Sequence, residues 1–339
     1  MSLPLQDPTL LKTHAYIGGQ WTEADDGGTF SVSNPVNGEV IANVAKVGAE
    51  ETRRAIEAAE HAMISWKAQP AKSRAQILRK WFDLMMANQE DLAMIMTAEQ
   101  GKVLAESRGE VAYGAAFVEW FGEEAKRIDG DDIPAPSSDK RVVSIKQPVG
   151  VVAAITPWNF PNAMIARKAA PALAAGCTIV IKPATETPLS AFAMAELAER
   201  AGVPAGVINV VAGSSSAIGG EMTSNPVVRK LTFTGSTPVG KMLEAQCAET
   251  MKKTSMELGG NAPFIVFDDA DIDAATQGAI ISKYRNAGQT CVCSNRLLVQ
   301  EGIYDAFVEK LVKATAELTV GDGRKDGIAI GPLVNKTAV

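Results

Sequence analysis

The stretch Val149-Gly-Val-Val-Ala-Ala-Ile-Thr156 is the first of four short apolar runs that decide the fold. The other three cover residues 178–182, 207–212 and 230–234, and segments of helical length separate them. Runs that are rich in Val and Ile and lack polar alternation predict strands buried on both faces. Strands that alternate with helices predict a doubly wound parallel α/β sheet.

Helices are predicted both within this region and ahead of it. Between the strands, apolar spacing and helix signals predict helices over residues 163–175, 190–201, 216–224 and 238–248. Upstream, the same spacing predicts helices over residues 51–66, 73–100 and 106–127. Residues 129–150, which are first rich in Asp, Pro and Ser and then alternate in polarity, predict a connecting hairpin.

The composition describes an ordinary globular protein, because 46% of the 339 residues are hydrophobic and 21% are charged. A net charge of −6 disfavours binding to nucleic acid. The four cysteines form no C-x-x-C pair, so neither a metal site nor a disulfide scaffold is expected. Since the sequence shows no secretion signal and no apolar run that would span a membrane, we expect a cytoplasmic protein without membrane contact.

Polar or glycine-rich stretches of sequence follow three of the predicted strands. The stretches are Thr156-Pro-Trp-Asn-Phe-Pro161, Lys182-Pro-Ala-Thr185 and Gly235-Ser-Thr-Pro-Val-Gly240. Doubly wound sheets bind ligands beyond the carboxyl ends of their strands. The third stretch opens a helix, whose unpaired N–H groups favour a phosphate. The usual Gly-x-Gly-x-x-Gly fingerprint is absent, and a Gly-Ser-Thr turn alone is equally typical of a simple turn.

A cysteine nucleophile is a second candidate feature. The sequence has two histidines, His14 and His61, and both stand in the N-terminal region, far from the other candidate residues. A nucleophilic cysteine such as Cys291 would therefore need a carboxylate as proton acceptor, and Glu257 is the candidate. Taken singly, Glu257 is also typical of a surface carboxylate and Cys291 of a small buried residue.

Five motifs stand along the chain in the order Pro157-Trp-Asn-Phe-Pro161, Lys182-Pro-Ala184, Phe233-Thr-Gly-Ser236, Glu257-Leu-Gly-Gly260 and Gly288-Gln-Thr-Cys291. Together they resemble the aldehyde dehydrogenase superfamily, over nearly the whole chain. Within it, the sequence is most similar to the succinate-semialdehyde dehydrogenase branch, through residues 164–168, residues 284–286 and the pair Cys291-Val-Cys293. The resemblance implies a dinucleotide-binding domain over residues 1–255, with an oligomerisation hairpin at 129–150, and an incomplete α/β catalytic domain over 256–339.

The resemblance also implies a mechanism. Cys291 attacks the aldehyde as a thiolate, and the oxyanion is held by the Asn159 side-chain amide and the Cys291 backbone N–H. Glu257 then acts as general base in hydrolysis of the thioester. Relatives that pass the acyl group to coenzyme A do not need this base, so Glu257 favours hydrolysis.

For the cofactor, the resemblance implies NADP as the preferred dinucleotide and NAD as an accepted one. NAD-preferring relatives commonly have Glu at the position of Thr185, where its carboxylate repels a 2′-phosphate; Glu186 next door leaves the choice open. The implied cofactor-binding residues are Trp158 and Asn159 near the nicotinamide, Leu258 beside it through its backbone, Lys182, Pro183, Ala184 and Thr185 at the adenine ribose, and Gly235 and Ser236 at the pyrophosphate.

The substrate implied by the resemblance is succinate semialdehyde, whose distal carboxylate Arg167 and Arg285 would bind. A guanidinium suits a carboxylate because it offers a planar, permanently charged fork. Glutarate semialdehyde has the same carboxylate and one more methylene, and it stays open as an alternative. By composition alone, both arginines are also typical of surface ion pairs.

Two further expectations concern the other cysteines and the chain end. Cys293 would form a reversible redox disulfide with Cys291, or would simply line the loop, whereas Cys177 and Cys247 are expected in the core. Aldehyde dehydrogenases continue beyond the point where this chain stops, at Val339. The sequence therefore also allows an NAD(P)-binding fragment without turnover, and we expect a homo-oligomer only for the full-length protein.

Overall fold

The N-terminal third of the chain forms two antiparallel hairpins and four helices. The computed structural model describes residues 3–338. In chain order the elements are β1 (Ala15–Ile17), β2 (Gln20–Thr22), β3 (Thr29–Ser33), β4 (Val40–Ala45), α1 (Ala49–Ala68), α2 (Ala71–Ala87), α3 (Gln89–Gln100) and α4 (Leu104–Glu124).

The prediction of one helix over residues 73–100 is wrong, because the chain breaks at Asn88 into α2 and α3. The side-chain amide of Asn88 donates to the Leu84 carbonyl at 2.8 Å, a local contact that competes with helix continuation. Gly101, with a φ of 96°, ends α3 in the left-handed region that favours glycine. After the break, α3 packs against α4 and α6.

The predicted hairpin is confirmed but is shorter than the sequence pattern suggests. Strands β5 (Asp131–Ile133) and β6 (Val142–Ser144) pair antiparallel. Apolar side chains on and beside it are exposed, among them Val143 and Ile145. Its role in oligomerisation stays a prediction.

The central part of the chain confirms the doubly wound sheet and all four predicted strands. The sheet has seven strands in the order β11-β10-β7-β8-β9-β1-β2; the five strands from β11 to β9 are parallel, while β1 pairs antiparallel with both β9 and β2. The sequence analysis did not predict β11. The elements are β7 (Val151–Ile155), α5 (Ala163–Ala174), β8 (Thr178–Lys182), α6 (Pro188–Ala201), β9 (Ile208–Val210), α7 (Ser215–Ser224), β10 (Val228–Thr234), α8 (Thr237–Ala248) and β11 (Lys253–Glu257).

The last part of the chain forms a separate two-stranded parallel sheet with two helices. Val266, Ala279 and Phe307 form its small buried core. The division of the chain into domains at residues 255 and 256 stays a prediction. The elements are β12 (Ala262–Val266), α9 (Ile272–Tyr284), β13 (Ser294–Val299) and α10 (Tyr304–Ala316). No helix within residues 3–338 is long and apolar enough to cross a bilayer.

Two buried carboxylates fix the starts of the helices that follow β7 and β8. Glu99 accepts hydrogen bonds from the backbone N–H groups of Leu189 and Ser190, both at 2.8 Å. Glu110 accepts from Asn162 at 2.9 Å and from Ala163 at 3.1 Å. The first N–H groups of a helix have no partner within the helix, so these contacts satisfy donors that would otherwise be buried and unpaired.

We expect the free energy of unfolding to depend on pH through Glu99. Burial raises the pKa of Glu99 to about 8, above the ordinary value of about 4.3. Between these values the folded protein holds a proton that the unfolded chain has lost, so the free energy of unfolding falls as the pH rises. In Glu99→Gln, which cannot ionise, we expect a shallower fall from about pH 5 to about pH 8 in urea denaturation. If the free energy of unfolding falls equally steeply with pH in the wild type and in Glu99→Gln, the two N–H donors keep Glu99 ionised.

Candidate functional site

The candidate site lies at the carboxyl edge of the central sheet, where the loops after β7, β8, β10 and β11 meet. Parallel pairing of these strands brings the four loops to one edge. The three polar stretches that the sequence analysis placed after strands are three of these loops.

One cavity at this edge, of about 350 Å³, is lined by six of the predicted site residues. Cys291 is exposed in it and faces residues from the loops after β7, β10 and β11. The structure therefore brings together residues that are up to 134 positions apart in the sequence, from Pro157 to Cys291. Its lining includes the predicted site residues Trp158, Asn159, Gly235, Ser236, Leu258 and Cys291, together with Phe160, Met164 and Gln289.

Asn159 is held at both its backbone and its side chain. Its carbonyl accepts from Lys102 Nζ at 2.7 Å and from Asn286 Nδ2 at 2.9 Å. Its own Nδ2 donates to the Gln289 carbonyl at 2.9 Å. A side-chain amide carries two N–H donors, so this contact leaves a second N–H for a ligand in the cavity.

A left-handed turn leads into the segment that carries Cys291. Asn286 and Ala287 have φ values of 53° and 56°, which are uncommon for residues other than glycine. Asn286 is buried, its N–H donates to Glu106 Oε1 at 2.8 Å, and its Oδ1 accepts from Gln100 Nε2 at 3.0 Å. Such backbone persists when its surroundings hold it, so α3 and α4 help to set the path of residues 288–291.

A second cavity, of about 440 Å³, lies between α7 and α8 beside Lys182. A Cβ atom added to Gly219 or Gly220 would meet no atom within 4 Å, so the two glycines leave a flat floor that larger residues would fill. This shape suits a planar base. Most of the residues that line this cavity were not predicted from the sequence. The polar stretch Gly213-Ser-Ser-Ser216, which follows β9, could have indicated them, as the polar stretches after the other strands did. The other lining residues are Ile155, Ser215, Ser216, Val239, Met242, Leu243 and Gln246.

Helix α8 joins the two cavities. Its N-cap, Ser236, lines the Cys291 cavity, while Val239 and Met242 line the second one. The Ser236 side chain makes no capping hydrogen bond, and Pro238 lies within the first turn. A dinucleotide that spans both cavities would therefore put its phosphates at the N-terminus of α8, where N–H groups and the helix dipole favour anions.

Glu257 and Arg167 line a third cavity, of about 340 Å³, rather than the one that contains Cys291. The closest approach between them, from Arg167 Nη2 to Glu257 Oε1, is 3.9 Å. Lys168, in the same cavity, donates to Thr234 Oγ1 at 2.7 Å, and burial lowers the pKa of Lys168 to about 8. Glu257 ends β11, so its neighbour Leu258 connects this cavity to the first one.

Both predicted substrate arginines lie over aromatic rings. The Arg167 guanidinium carbon is 5.5 Å from the centre of the Phe117 ring. That of Arg285 is 5.1 Å from the centre of the Phe160 ring, which lines the Cys291 cavity. Arg285 is exposed, so its charge is available to an anion, although Arg285 is not itself a lining residue of this cavity.

The remaining predicted residues lie around these cavities. Thr185 is exposed on the loop after β8, where Pro183 and Ala184 are buried. Cys293 is buried, and its thiol donates to the Gly288 carbonyl at 3.1 Å. All four cysteines are free, so the disulfide with Cys291 stays a prediction, while the prediction that Cys177 and Cys247 are buried is confirmed.

Comparison with known proteins agrees with this geometry. The model of the aldehyde dehydrogenase family matches residues 21–339. This chain belongs to the aldehyde dehydrogenase family. The family resemblance predicted from the five motifs is thereby confirmed, and the chain is an NAD(P)-dependent aldehyde dehydrogenase.

Several similar members of the family are named semialdehyde dehydrogenases. A glutarate-semialdehyde dehydrogenase of Pseudomonas aeruginosa is 64% identical over 99% of this chain and 70% of its own length. An NADP(+) succinate-semialdehyde dehydrogenase of Escherichia coli is 61% identical over the same shares. The crystal structure of a succinate-semialdehyde dehydrogenase from Burkholderia pseudomallei superposes with a TM-score of 0.97 at 61% identity, over 99% of this chain and 70% of that one.

Proposed function

We propose that this aldehyde dehydrogenase oxidises succinate semialdehyde to succinate, with glutarate semialdehyde as the second candidate. The observation that carries the proposal is Arg285, whose exposed guanidinium lies over the ring of Phe160, a lining residue of the Cys291 cavity. A permanent cation beside a residue of the cavity wall favours an aldehyde with an anionic group at its far end. Glutarate semialdehyde is kept because the relative of Pseudomonas aeruginosa carries that name.

In the proposed first step, the Cys291 thiolate adds to the aldehyde carbon and forms a carbon–sulfur bond. The negative charge moves to the aldehyde oxygen, where the second Asn159 amide N–H and the Cys291 backbone N–H stabilise it. The bound nicotinamide supplies the hydride acceptor. As the hydride leaves, the carbon–oxygen double bond forms again and a thioester remains on Cys291.

Glu257 is proposed as the general base of the second step. It takes a proton from water, whose oxygen attacks the thioester carbonyl, and the Cys291 thiolate leaves as the carboxylic acid forms. Its side chain is exposed in the third cavity, where water can reach it. Arg167, at 3.9 Å from Glu257, would then serve both this carboxylate and that of the substrate.

We propose NADP as the preferred cofactor and NAD as an accepted one. The two-cavity arrangement joined by α8 fits a dinucleotide, with Lys182 beside the second cavity. Thr185 itself presents no negative charge on the exposed loop, so the repulsion that a glutamate at this position would exert on a 2′-phosphate is absent. The name of the relative from Escherichia coli supports the same choice.

Three broader expectations complete the proposal. We propose a cytoplasmic enzyme, a homo-oligomer of the full-length protein that uses the hairpin of β5 and β6, and a boundary between cofactor and catalytic domains at residues 255 and 256. The alternative is an NAD(P)-binding fragment without turnover. Cofactor binding without hydride transfer would favour this alternative.

Replacing Arg285 tests the proposed substrate. In Arg285→Met we expect kcat/KM for succinate semialdehyde to fall about 10- to 100-fold, because a hydrogen bond to a charged group contributes about 1.5–3 kcal/mol. Butyraldehyde, which lacks the carboxylate, should be little affected. The measurement is absorbance at 340 nm during NADP reduction.

Arg296→Met is the matched control, because this exposed arginine donates to the Asn261 carbonyl away from the cavities. Equal losses with both aldehydes would contradict the assignment of Arg285.

Replacing Thr185 tests the proposed cofactor. A carboxylate in Thr185→Glu would repel a 2′-phosphate, so kcat/KM with NADP should fall about tenfold or more while that with NAD is retained. Thr185→Gln is the matched control, since a glutamine side chain has nearly the same shape as a glutamate side chain but carries no charge. Steady-state kinetics with both cofactors measures the ratio. If the glutamine variant loses NADP use equally, size rather than charge decides the preference.

A further inference from the structure

A cluster of four polar side chains from α3, α4 and the turn between them lies under the candidate site. We name it the Lys102 cluster, and three of its members are at most 2% exposed. None of them takes part in the chemistry proposed above. The members are Gln100, Lys102, Glu106 and Glu110.

Lys102 is the centre of this cluster. Its ammonium donates to Glu110 Oε2 at 2.5 Å and to the Asn159 carbonyl at 2.7 Å. It also lies 4.3 Å from the centre of the Phe160 ring. Burying an ammonium group carries a large desolvation cost, which this set of contacts offsets only in part. A buried ion pair is weak evidence for a role in stability, so its contact with Asn159 suggests a different role.

The same carbonyl of Asn159 receives a second donor, Asn286 Nδ2, at 2.9 Å. Asn286 is itself held by Gln100 and Glu106 of the Lys102 cluster. Two donors from different directions limit rotation of the Asn159 peptide. The Gln289 carbonyl limits rotation of the Asn159 side-chain amide. One residue is therefore fixed by contacts to two separate segments, the turn at Lys102 and residues 286–289.

We propose that Lys102 and Asn286 are positioning residues that aim the free N–H of Asn159 at the aldehyde oxygen, an inference that rests on the oxyanion role given to Asn159 under the proposed function. A displacement of about 1 Å in such a donor can lower a rate about 100-fold. The Lys102 cluster thus acts on catalysis through Asn159 without touching the substrate.

The test is a double-mutant cycle, which measures whether two residues act through each other. Lys102→Met is combined with Glu110→Gln, so that no buried charge is left unpaired and the amide oxygen can still accept from Asn162 and Ala163. Asn286→Gly is the second variant, because glycine tolerates the left-handed turn and lacks the side-chain donor. Each is made with and without Asn159→Ala.

The primary measurement is the single-turnover rate of hydride transfer with succinate semialdehyde and NADP. We expect both variants to lower this rate about 10- to 100-fold when Asn159 is present and less than about twofold in Asn159→Ala. Cofactor affinity should stay unchanged in both variants, and so should the rate of Cys291 alkylation in the Lys102 variant. Lys252→Met is the matched control, because this buried lysine donates to the Asn225 carbonyl at 2.7 Å away from the cavity, and we expect no loss of rate from it.

Losses of equal size with and without Asn159 would overturn the positioning role, and so would an equal loss in Lys252→Met. A full rate in Asn159→Ala alone would instead refute the oxyanion role under the proposed function. The two failures are therefore distinguishable in one set of measurements.

Discussion

The candidate site depends on the hydrogen bonds that the buried side chains of Glu99 and Glu110 accept. Each closes the N-terminus of a helix that follows a central strand, α6 for Glu99 and α5 for Glu110. Backbone N–H groups in the interior must find a partner, so the loops ahead of these helices have little freedom. Both glutamates come from the helical layer that precedes the sheet in the sequence. This layer, together with the sheet, therefore decides where Asn159 and Lys182 lie.

The site combines a rigid frame with a short strained segment. The loops after β7 and β10 and the helix α8 form the walls of the cavity, whereas Cys291 follows a left-handed turn at Asn286 and Ala287. The Lys102 cluster contacts both parts. The alignment of Cys291, the proposed nucleophile, with Asn159 then depends on contacts outside the lining of the cavity.

The sheet, its helices and the main site motifs could be predicted because they depend on local signals. Apolar runs and helical spacing predicted the strands from β7 to β10, and short motifs indicated Asn159 and Cys291. The break at Asn88 depends on one side-chain contact that competes with the helix, and periodicity does not reveal it. Strand β11 was missed because its alternation, Lys253-Thr-Ser-Met-Glu257, is short and polar.

Other parts of the site arise from contacts between distant residues. Glu99, Lys102 and Glu110 look like ordinary surface charges in the sequence, and burial against partners more than 50 positions away gives them their roles. The floor formed by Gly219 and Gly220 requires α7 and α8 to be side by side. That Glu257 lines a different cavity from Cys291 likewise follows from the path of β11 and could not be read from the motif.

The central claim is that Cys291 carries the acyl group and Glu257 releases it. The most direct measurement is mass spectrometry of the Glu257→Gln enzyme after mixing with succinate semialdehyde and NADP, followed by peptide mapping. The mechanism predicts one succinyl group on Cys291, formed with one equivalent of NADPH and absent in Cys291→Ala. Release of NADPH without any acyl group on Cys291, or continued turnover at the wild-type rate, would contradict it.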